Sequence, residues 1–318
     1  MSEWTVVVTE PINYAGVQLL ESRGVKIIHL PLGSKEDALS AIASEADGLI
    51  TRGGIRVTRV IMASSPRLRA IGVHGIGCDH VDLIAARELG KVVLNTPEAL
   101  SVTVAEMAIA MMLSLTRRIA IADRAVRSGG WDRKYTDLIG IELHRKNVGL
   151  IGLGRIGAAT ARRLKAFDVR LIYWSRTRHP DLEHELGLEW MNLHELLEIS
   201  DIVSLHVPRA PETHHLIGAR ELASMKRGAM IVNTARGNII DETALIEALR
   251  SGRVAGAALD VFEQEPVKPN NPLLGMDNVV LAPHLGASSL EAMQRMATQV
   301  AQGVIDVLEG KEPRNRVV

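Results

Sequence analysis

The length, charge and cysteine content of the chain exclude several classes of protein. Its 318 residues suffice for two domains with sizeable cores, and 37 basic residues balance 37 acidic ones, so no net charge attracts nucleic acid or an anionic membrane surface. Cys78 is the sole cysteine, which excludes an internal disulfide framework and a cysteine metal cluster. The N-terminus does not resemble a signal peptide, and no apolar run approaches the ~18 residues of a membrane span. We therefore expect a cytoplasmic protein with no metal, nucleic-acid or membrane partner.

Short β-rich runs alternate with amphipathic stretches over the first 99 residues. This alternation predicts a parallel sheet with helices on both faces. Two loops, Thr51–Gly54 and His74–Gly77, follow predicted strand ends, where ligands of such sheets bind. The predicted strands are Thr5–Thr9, Val25–Leu30, Gly48–Thr51, Ala70–Val73 and Val92–Asn95.

A linker and a long apolar stretch connect this first region to the second one. Pro97–Ser101 is typical of a linker, and Val102–Arg127 predicts one long helix. That helix is apolar on too many faces for a surface helix, so we expect it to be buried in the core or against another subunit. Ser128–Trp131 contains two glycines and is expected to end it.

From Asn147 the chain alternates again and predicts a complete doubly wound unit. Helices such as Glu242–Arg250 fill the gaps between strands, and a last helix is expected over Ser288–Glu309. The predicted strands are Val148–Ile151, Val169–Trp174, Ile202–Val207, Met230–Asn233, Val254–Asp260 and Asn278–Leu281.

The first strand of this second region runs into a glycine fingerprint, Gly152-x-Gly154-x-x-Gly157. Gly152 allows a sharp turn, Gly154 lets the backbone approach a pyrophosphate, and Gly157 permits close packing of helix on strand. The phosphates would lie on free N–H groups at the positive end of the helix. Strand, turn and helix occur in the required order, so the pattern predicts a dinucleotide site.

The loop after the next strand predicts which dinucleotide is bound. Sites for NAD carry Asp or Glu there, which accepts hydrogen bonds from the ribose 2′-hydroxyl. This chain instead has Ser175, Arg176, Thr177 and Arg178, which suit a 2′-phosphate. The predicted cofactor is NADP; the alternative is a solvated basic loop on an NAD enzyme.

Three polar residues follow strands of the same predicted sheet. Arg236, Glu265 and His284 each lie just beyond a strand, at the edge that a dinucleotide would cross. Their convergence indicates a catalytic site more strongly than any one of them. Other histidines, including His214 and His215, lie in helix or loop settings with no evident constellation.

These motifs together resemble those of the D-isomer-specific 2-hydroxyacid dehydrogenases, and the resemblance covers nearly the whole chain. The resemblance implies an α/β fold of two doubly wound parallel-sheet domains, with a Rossmann dinucleotide domain (100–285) inserted into a flavodoxin-like substrate domain (1–99 plus 286–318). It also implies a homodimer built on the 102–127 helix and the arm around Trp131. The matching stretches are His74–Asp82, Val104–Glu106, Val148–Gly157, Asn233–Gly237, Ala257–Pro266 and Ala282–Ala287.

The resemblance also implies residue roles. Arg236 would bind the substrate carboxylate and carbonyl, His284 would be the acid/base, and Glu265 would hydrogen-bond His284 and raise its pKa. The substrate-binding residues are expected to be Arg52, His74, Gly75 and Ile76. The cofactor-binding residues are expected to be Gly152, Gly154, Arg155, Ile156, Gly157, Ser175, Arg176, Thr177, Val207, Pro208, Thr213, Thr234, Ala235, Asp260, Gly286 and Ala287.

The implied activity is hydride transfer from NADPH to a small 2-keto acid of the glyoxylate or hydroxypyruvate type, giving a D-2-hydroxy acid. One alternative is an NAD-dependent dehydrogenase for a larger acid, such as 3-phosphoglycerate or a sugar acid. Another is a nucleotide-sensing, corepressor-like binding protein, because the fold also serves that purpose and the Arg–Glu–His set can persist there.

Overall fold

A computed structural model describes residues 4–318. Met1–Glu3, which belong to the predicted first domain and to the N-terminus that does not resemble a signal peptide, lie outside the described residues. The strands are β1 (Thr5–Val8), β2 (Lys26–His29), β3 (Gly48–Thr51), β4 (Ala70–Val73), β5 (Val92–Leu94), β6 (Asn147–Ile151), β7 (Arg170–Trp174), β8 (Glu189–Trp190), β9 (Ile202–Leu205), β10 (Met230–Asn233), β11 (Gly256–Leu259) and β12 (Val279–Leu281).

The helices cover both faces of the sheets that these strands form. Several begin at a side-chain cap, as where the Asp241 carboxylate accepts the Ala244 N–H at 3.0 Å. The helices are α1 (Tyr14–Ser22), α2 (Glu36–Ile42), α3 (Arg59–Ala63), α4 (Leu83–Glu88), α5 (Ser101–Thr116), α6 (Ile119–Arg127), α7 (Arg155–Leu164), α8 (Pro180–Leu186), α9 (Leu193–Ile199), α10 (Ala219–Ser224), α11 (Glu242–Arg250) and α12 (Leu290–Leu308).

The chain divides into two units, one made of residues up to Leu100 with Ala287–Val318 and the other of Ser101–Gly286. Both junctions fall one residue later than the predicted boundaries. In the first unit, five parallel strands take the order β2-β1-β3-β4-β5, which is the flavodoxin-like order. β1, β3 and β4 are buried throughout, because helices cover both faces of the sheet.

α12 belongs to the first unit although it lies at the far end of the chain. It packs on the sheet at residues without side chains: a Cβ at Gly72 would come 2.5 Å from a methyl of Val300, and one at Gly48 would come 2.9 Å from Val304. After α12 the chain pairs with the sheet edge, where the Val317 N–H donates to the Val93 carbonyl at 2.7 Å. The first domain is therefore discontinuous in sequence.

The second unit carries a seven-stranded parallel sheet in the order β12-β11-β10-β9-β6-β7-β8. Counted within the unit, this is the 3-2-1-4-5-6 order of the Rossmann fold with a seventh strand added beyond the sixth. The predicted fold class is confirmed. β8 was not predicted, because two exposed residues carry no periodic signal.

The prediction of one helix over Val102–Arg127 is wrong, since two helices are present. α5 ends at Thr116, whose carbonyl accepts the Ile141 N–H at 2.9 Å and is approached closely by Gly140. Arg118 then adopts a left-handed φ of 55° before α6 begins. Half of the α5 residues are buried in the core of the second unit, whereas α6 buries few. Among the described helices, none is long and apolar enough to cross a membrane.

Candidate active site

The turn between β6 and α7 has the form that the glycine fingerprint predicts. Gly152 has a φ of 97°, a conformation that disfavours residues with a Cβ. A Cβ on Gly157 would overlap the Gly152 carbonyl, whereas one on Gly154 would meet no described atom within 4 Å. No side chain of residues 4–318 caps α7. The first N–H groups of α7 therefore face an open position that suits a pyrophosphate.

Beyond β9 lies a hydrogen-bonded turn that borders this position. A Cβ on Gly152 would lie 2.7 Å from the His206 carbonyl, so the two backbones are in close contact. Thr213 Oγ1 donates to the Pro208 carbonyl at 2.7 Å and accepts the Ala210 N–H at 2.8 Å. Three residues predicted to bind cofactor, Val207, Pro208 and Thr213, thus belong to one hydrogen-bonded loop.

The sequence reasoning missed His206 in this loop. Its Nε2 lies 3.0 Å from Ser204 Oγ, and within the described chain its buried Nδ1 makes no hydrogen bond. Burial lowers the pKa of His206 to about 4, so the ring is neutral near pH 7. Its position directly after a strand end, beside the glycine turn, was the available signal.

The loop after β7 contains Arg176 and Arg178, the two arginines that suggested NADP. In the structure they have different partners. Arg176 Nη1 pairs with Glu212 Oε1 at 2.8 Å, and both side chains are largely exposed. Ser175 Oγ donates to the Thr177 carbonyl. Arg176 is therefore held by one exposed carboxylate, an interaction that is typically weak in water.

Arg178 instead belongs to a network within the same unit. Its guanidinium pairs with Glu183 at 2.6 Å and lies 5.7 Å from the ring centre of Trp190. The Tyr173 hydroxyl donates to Glu183 at 2.6 Å and accepts the His179 N–H at 2.8 Å. Burial of Tyr173 and the Glu183 carboxylate beside it raise the pKa of this hydroxyl, which remains a donor. Arg178 thus helps to shape the loop.

Arg236 follows β10 in a segment held by Asn233. The Asn233 side chain accepts the Ala235 N–H at 3.0 Å and donates to the Arg236 carbonyl at 2.9 Å. Thr234 lies between them, and its buried Oγ1 makes no hydrogen bond within residues 4–318. A buried hydroxyl of this kind is satisfied when a polar ligand binds, which fits a cofactor at this edge.

His284 is positioned by Asp260, at the end of β11. The Asp260 carboxylate accepts the Leu285 and Gly286 N–H groups at 2.7 Å each, and the Asp260 carbonyl accepts the His284 N–H at 2.9 Å. His284 is held at a left-handed φ of 55°. Burial raises the pKa of Asp260, and the two N–H donors oppose that effect.

His284 and Glu265 form a hydrogen-bonded pair, with His284 Nδ1 2.8 Å from Glu265 Oε2. Glu265 Oε1 accepts the Phe262 N–H at 3.0 Å. The bond to Glu265 raises the pKa of His284, against the opposing effect of burial, so the predicted direction of this shift is confirmed. The positive charge of Arg236 contributes to the lowered pKa of Glu265 and partly offsets the rise in the pKa of His284. All three groups therefore belong to one electrostatic cluster.

The first unit brings together the four residues predicted to bind substrate. Arg52 donates from its backbone to Glu10 at 2.8 Å and from Nη1 to the Pro11 carbonyl at 2.7 Å. Burial, then the charge of Arg52, lowers the pKa of His74 to about 4. Neither buried ring nitrogen of His74 has a hydrogen-bond partner of good geometry in the described chain, although the backbone of Met293 lies near the ring and opposes this shift. The Gly75 N–H donates to the Val73 carbonyl at 2.9 Å, so the Gly75 N–H is already engaged.

Comparison with known proteins identifies relatives over almost the whole chain. The family model "D-isomer specific 2-hydroxyacid dehydrogenase, NAD binding domain" matches residues 109–286. A glyoxylate reductase of Thermofilum pendens is 43% identical over 98% of this chain and 94% of its own. A D-3-phosphoglycerate dehydrogenase of Methanocaldococcus jannaschii is 42% identical over 98% of this chain, which spans 59% of that protein.

A solved structure also resembles this chain in its fold. An NADPH-dependent glyoxylate/hydroxypyruvate reductase of Sinorhizobium meliloti, in complex with NADP and malonate, superposes with a TM-score of 0.87 at 31% identity. The match covers 100% of this chain and 97% of that one.

The His284–Glu265 bond makes a prediction that requires no turnover. Replacing Glu265 with Gln removes the negative charge but keeps the side-chain shape, so the pKa of His284 should fall. NMR titration of the histidine Cε1 protons measures it, with His284→Ala identifying the signal. Glu198→Gln is the matched control, because Glu198 pairs with His194 at 3.3 Å on the surface of the same unit. An unchanged titration of His284 in Glu265→Gln would contradict the prediction.

Proposed function

The chain belongs to the D-isomer specific 2-hydroxyacid dehydrogenase family and is thus an NAD(P)-dependent enzyme that acts on CH–OH groups; from this premise we propose that it reduces a small 2-keto acid with NADPH. The substrate we propose is glyoxylate or hydroxypyruvate, and the product a D-2-hydroxy acid. The observation that carries the proposal is the cluster of Arg236, Glu265 and His284 around the 2.8 Å bond between the last two.

Each member of the cluster has a distinct task in this proposal. Bound NADPH supplies the hydride that the keto carbon receives. Negative charge develops on the keto oxygen, and Arg236 stabilises it while its guanidinium orients the substrate carboxylate. His284, as imidazolium, donates the proton to that oxygen. Glu265 accepts from His284 Nδ1, which leaves Nε2 for the proton transfer and favours the charged ring.

We assign substrate binding in the first unit to Arg52, His74 and the Ile76 N–H. His74 supports this assignment, because a buried ring with two unsatisfied nitrogens is stabilised by a polar ligand. The Gly75 N–H already donates to the Val73 carbonyl, so the predicted backbone contact to a carboxylate passes to Ile76.

The choice of substrate has one competing candidate. The glyoxylate reductase relatives and the glyoxylate/hydroxypyruvate reductase structure favour a small keto acid without a phosphate. The D-3-phosphoglycerate dehydrogenase relatives favour a larger, phosphorylated acid. A steady-state screen of glyoxylate, hydroxypyruvate and 3-phosphohydroxypyruvate against both cofactors distinguishes the two candidates.

Loss of the proposed acid should abolish most of the activity without abolishing cofactor binding. We expect His284→Ala to reduce kcat for keto-acid reduction by about 10²–10⁴-fold, the usual contribution of general acid catalysis. Arg236→Ala should also lose reduction, and both variants should still bind NADPH in a fluorescence titration. His194→Ala, on the surface, is the control. Wild-type turnover in His284→Ala would show that another group is the acid.

The same assignment fixes the sign of the pH dependence. His284 has a raised pKa, and reduction requires its protonated form. Reduction should therefore be fastest below that pKa and decline as pH rises through it. Oxidation of the D-2-hydroxy acid requires the neutral ring and should increase over the same interval.

The proposed preference for NADPH rests on Arg176. A phosphate monoester carries about −1.5 to −2 charges, more than the Glu212 carboxylate that now holds Arg176. Position 175 is a serine, so no carboxylate repels that phosphate. Arg178 is committed to Glu183 and Tyr173, which makes Arg176 the better candidate for the contact.

We expect NADPH to exceed NADH by about ten- to a few hundredfold in kcat/KM. A charge-assisted hydrogen bond is worth ~1.5–3 kcal/mol, and ~1.4 kcal/mol is a tenfold change in affinity. The difference should appear mainly in KM, because the phosphate is remote from the reacting carbon. Ser175→Asp with Arg176→Ala should reverse the preference, and Arg178→Ala should change it less. Equal efficiency of the wild type with both cofactors would refute the argument.

We also propose that the enzyme is a homodimer joined through α6 and the segment after it. Several large apolar side chains are exposed there, and they form a surface that a second copy would cover. These side chains are Ile119, Val126, Trp131, Tyr135, Ile139 and Ile141.

Sedimentation velocity should find a dimer of the wild type, and Val126→Glu should weaken it by burying an unpaired charge. Val60→Glu is the control, since Val60 is 75% exposed on α3 of the other unit. A wild type that sediments as an active monomer would exclude this interface.

A further inference from the structure

We propose that His215 and Glu263 are positioning residues, whose contact holds the segments bearing Arg236 and Glu265 at a fixed separation. His215 Nε2 lies 2.6 Å from Glu263 Oε1, although 48 residues separate them. The inference rests on the proposed function, because it concerns the same catalytic cluster. Neither residue is predicted as functional by the sequence, and neither contacts the reacting groups.

His215 is attached by its backbone to the segment that follows Arg236. The His215 N–H donates to the Asn238 carbonyl at 2.8 Å. Two residues on, the Ile217 N–H donates to the Ile239 carbonyl at 3.0 Å, and the Ile217 carbonyl accepts the Asp241 N–H at 3.0 Å. Residues 215–217 therefore form a short parallel pair with 238–241. His215 itself has a φ of 49°, which is uncommon for a non-glycine residue.

The side chain of His215 reaches the third segment, which bears Glu265. Glu263 lies two residues before Glu265. The preceding residue, Phe262, donates its N–H to the Glu265 carboxylate at 3.0 Å. Glu263 also bonds to Glu242, which follows Arg236 in the chain. The N–H of each residue donates to the carboxylate of the other at 3.3 Å. The same carboxylate that meets His215 thus receives the Glu242 N–H.

The two catalytic segments are also in direct contact at Gly237. A Cβ there would overlap the backbone of Phe262, so the segments meet with no room for a side chain. Such a contact limits how closely the segments approach, and the His215–Glu263 bond limits how far they separate. Together with the Glu242 bonds and the pairing of β10 with β11, they hold Arg236 in place relative to Glu265, and hence relative to His284.

Acidic groups surround His215, and the Glu263 carboxylate is the one that lies within hydrogen-bond distance of its ring. Besides Glu263, the Asp241 carboxylate lies 4.0 Å from Nδ1. Glu242 faces the same cluster, but its side chain accepts from Asn271 at 2.7 Å. The ring of His214 lies against that of His215, with centroids 4.1 Å apart. Around His284, the charged groups are Glu265, Arg236 and Asp260.

The consequence for catalysis follows from the geometry of proton transfer. Proton and hydride transfer require placement of the catalytic groups within about 0.5 Å of the productive geometry. Without the bond, the segment 262–265 would be held to the Arg236 side mainly through Glu242. The Glu265 carboxylate would then hold His284 less closely, and the pKa of His284 would fall towards its ordinary value.

The test compares His215→Ala, Glu263→Ala and the double variant with the wild type. We expect each single variant to reduce kcat by about ten- to a hundredfold, the cost of a misplacement of about 1 Å. The KM for NADPH should stay near the wild-type value, because the cofactor residues are untouched. The double variant should be no slower than the slower single one, since both remove the same contact. His215→Gln, which retains a donor, and Glu263→Gln, which retains an acceptor, should each recover part of the lost kcat.

The second measurement is the pKa of His284 by NMR titration, which should fall in His215→Ala and Glu263→Ala. His194→Ala and Glu198→Gln remove a His–Glu pair elsewhere on the same unit and should change neither kcat nor this pKa. A lowered thermal midpoint with unchanged kcat and unchanged pKa of His284 would show a structural role only and would overturn the proposal. So would an unchanged pKa of His284 in a folded His215→Ala or Glu263→Ala variant.

The titration separates this proposal from the proposed function. A wild type that reduces no 2-keto acid would refute the function, yet the pKa of His284 in the variants would still decide whether His215 positions Glu265. A wild type that is active, with His215→Ala equally active at every pH, would retain the function and refute the positioning role.

Discussion

The buried carboxylate of Asp260 is the interaction on which the arrangement of the candidate site depends. It accepts two successive N–H groups, those of Leu285 and Gly286, and thereby closes the turn that follows β12. A turn closed in this way holds His284 in a left-handed conformation, from which its ring meets Glu265. Burial makes the carboxylate costly to leave without donors, so the turn and the carboxylate stabilise each other.

The parallel sheet of the second unit explains why chemically different residues gather at one edge. In a parallel sheet every strand ends on the same side, and the loops that follow are neighbours in strand order. The glycine turn follows β6, the Arg176 loop follows β7, His206 follows β9 and Arg236 follows β10. Each loop then fixes its own side chain by local hydrogen bonds, as Asn233 does for Arg236.

The surroundings of each histidine determine whether its ring is charged. The His284 ring is kept protonatable by Glu265, whereas burial keeps His74 and His206 neutral near pH 7. The two arginines of the cofactor loop differ in a similar way, because Arg178 is bound in a network and Arg176 by one exposed carboxylate. In both cases the partner of the side chain, more than its residue type, determines what it can do.

The sequence by itself determined the fold class, the glycine turn and the residues beyond the strand ends. These features depend on local chemistry: the apolar periodicity of strands and helices, the bare backbone of Gly152, and the serine at position 175 are readable without knowledge of contacts. The family motifs pointed to Arg236, Glu265 and His284 because those motifs, too, are short stretches of local sequence. Strand positions were reproduced except for β8, which is too short to leave a pattern.

Only the tertiary structure decided what depends on distant partners. The break between α5 and α6 arises because Ile141 takes the carbonyl of Thr116, an acceptor that helical periodicity assigns to the helix itself. The distinction between Arg176 and Arg178 requires Glu212 and Glu183 in place. His215 reads as an ordinary loop histidine until the chain brings Glu263, 48 residues away, within 2.6 Å. Local sequence carries no record of such pairs, because the distances between them are set by how the sheet and its loops pack.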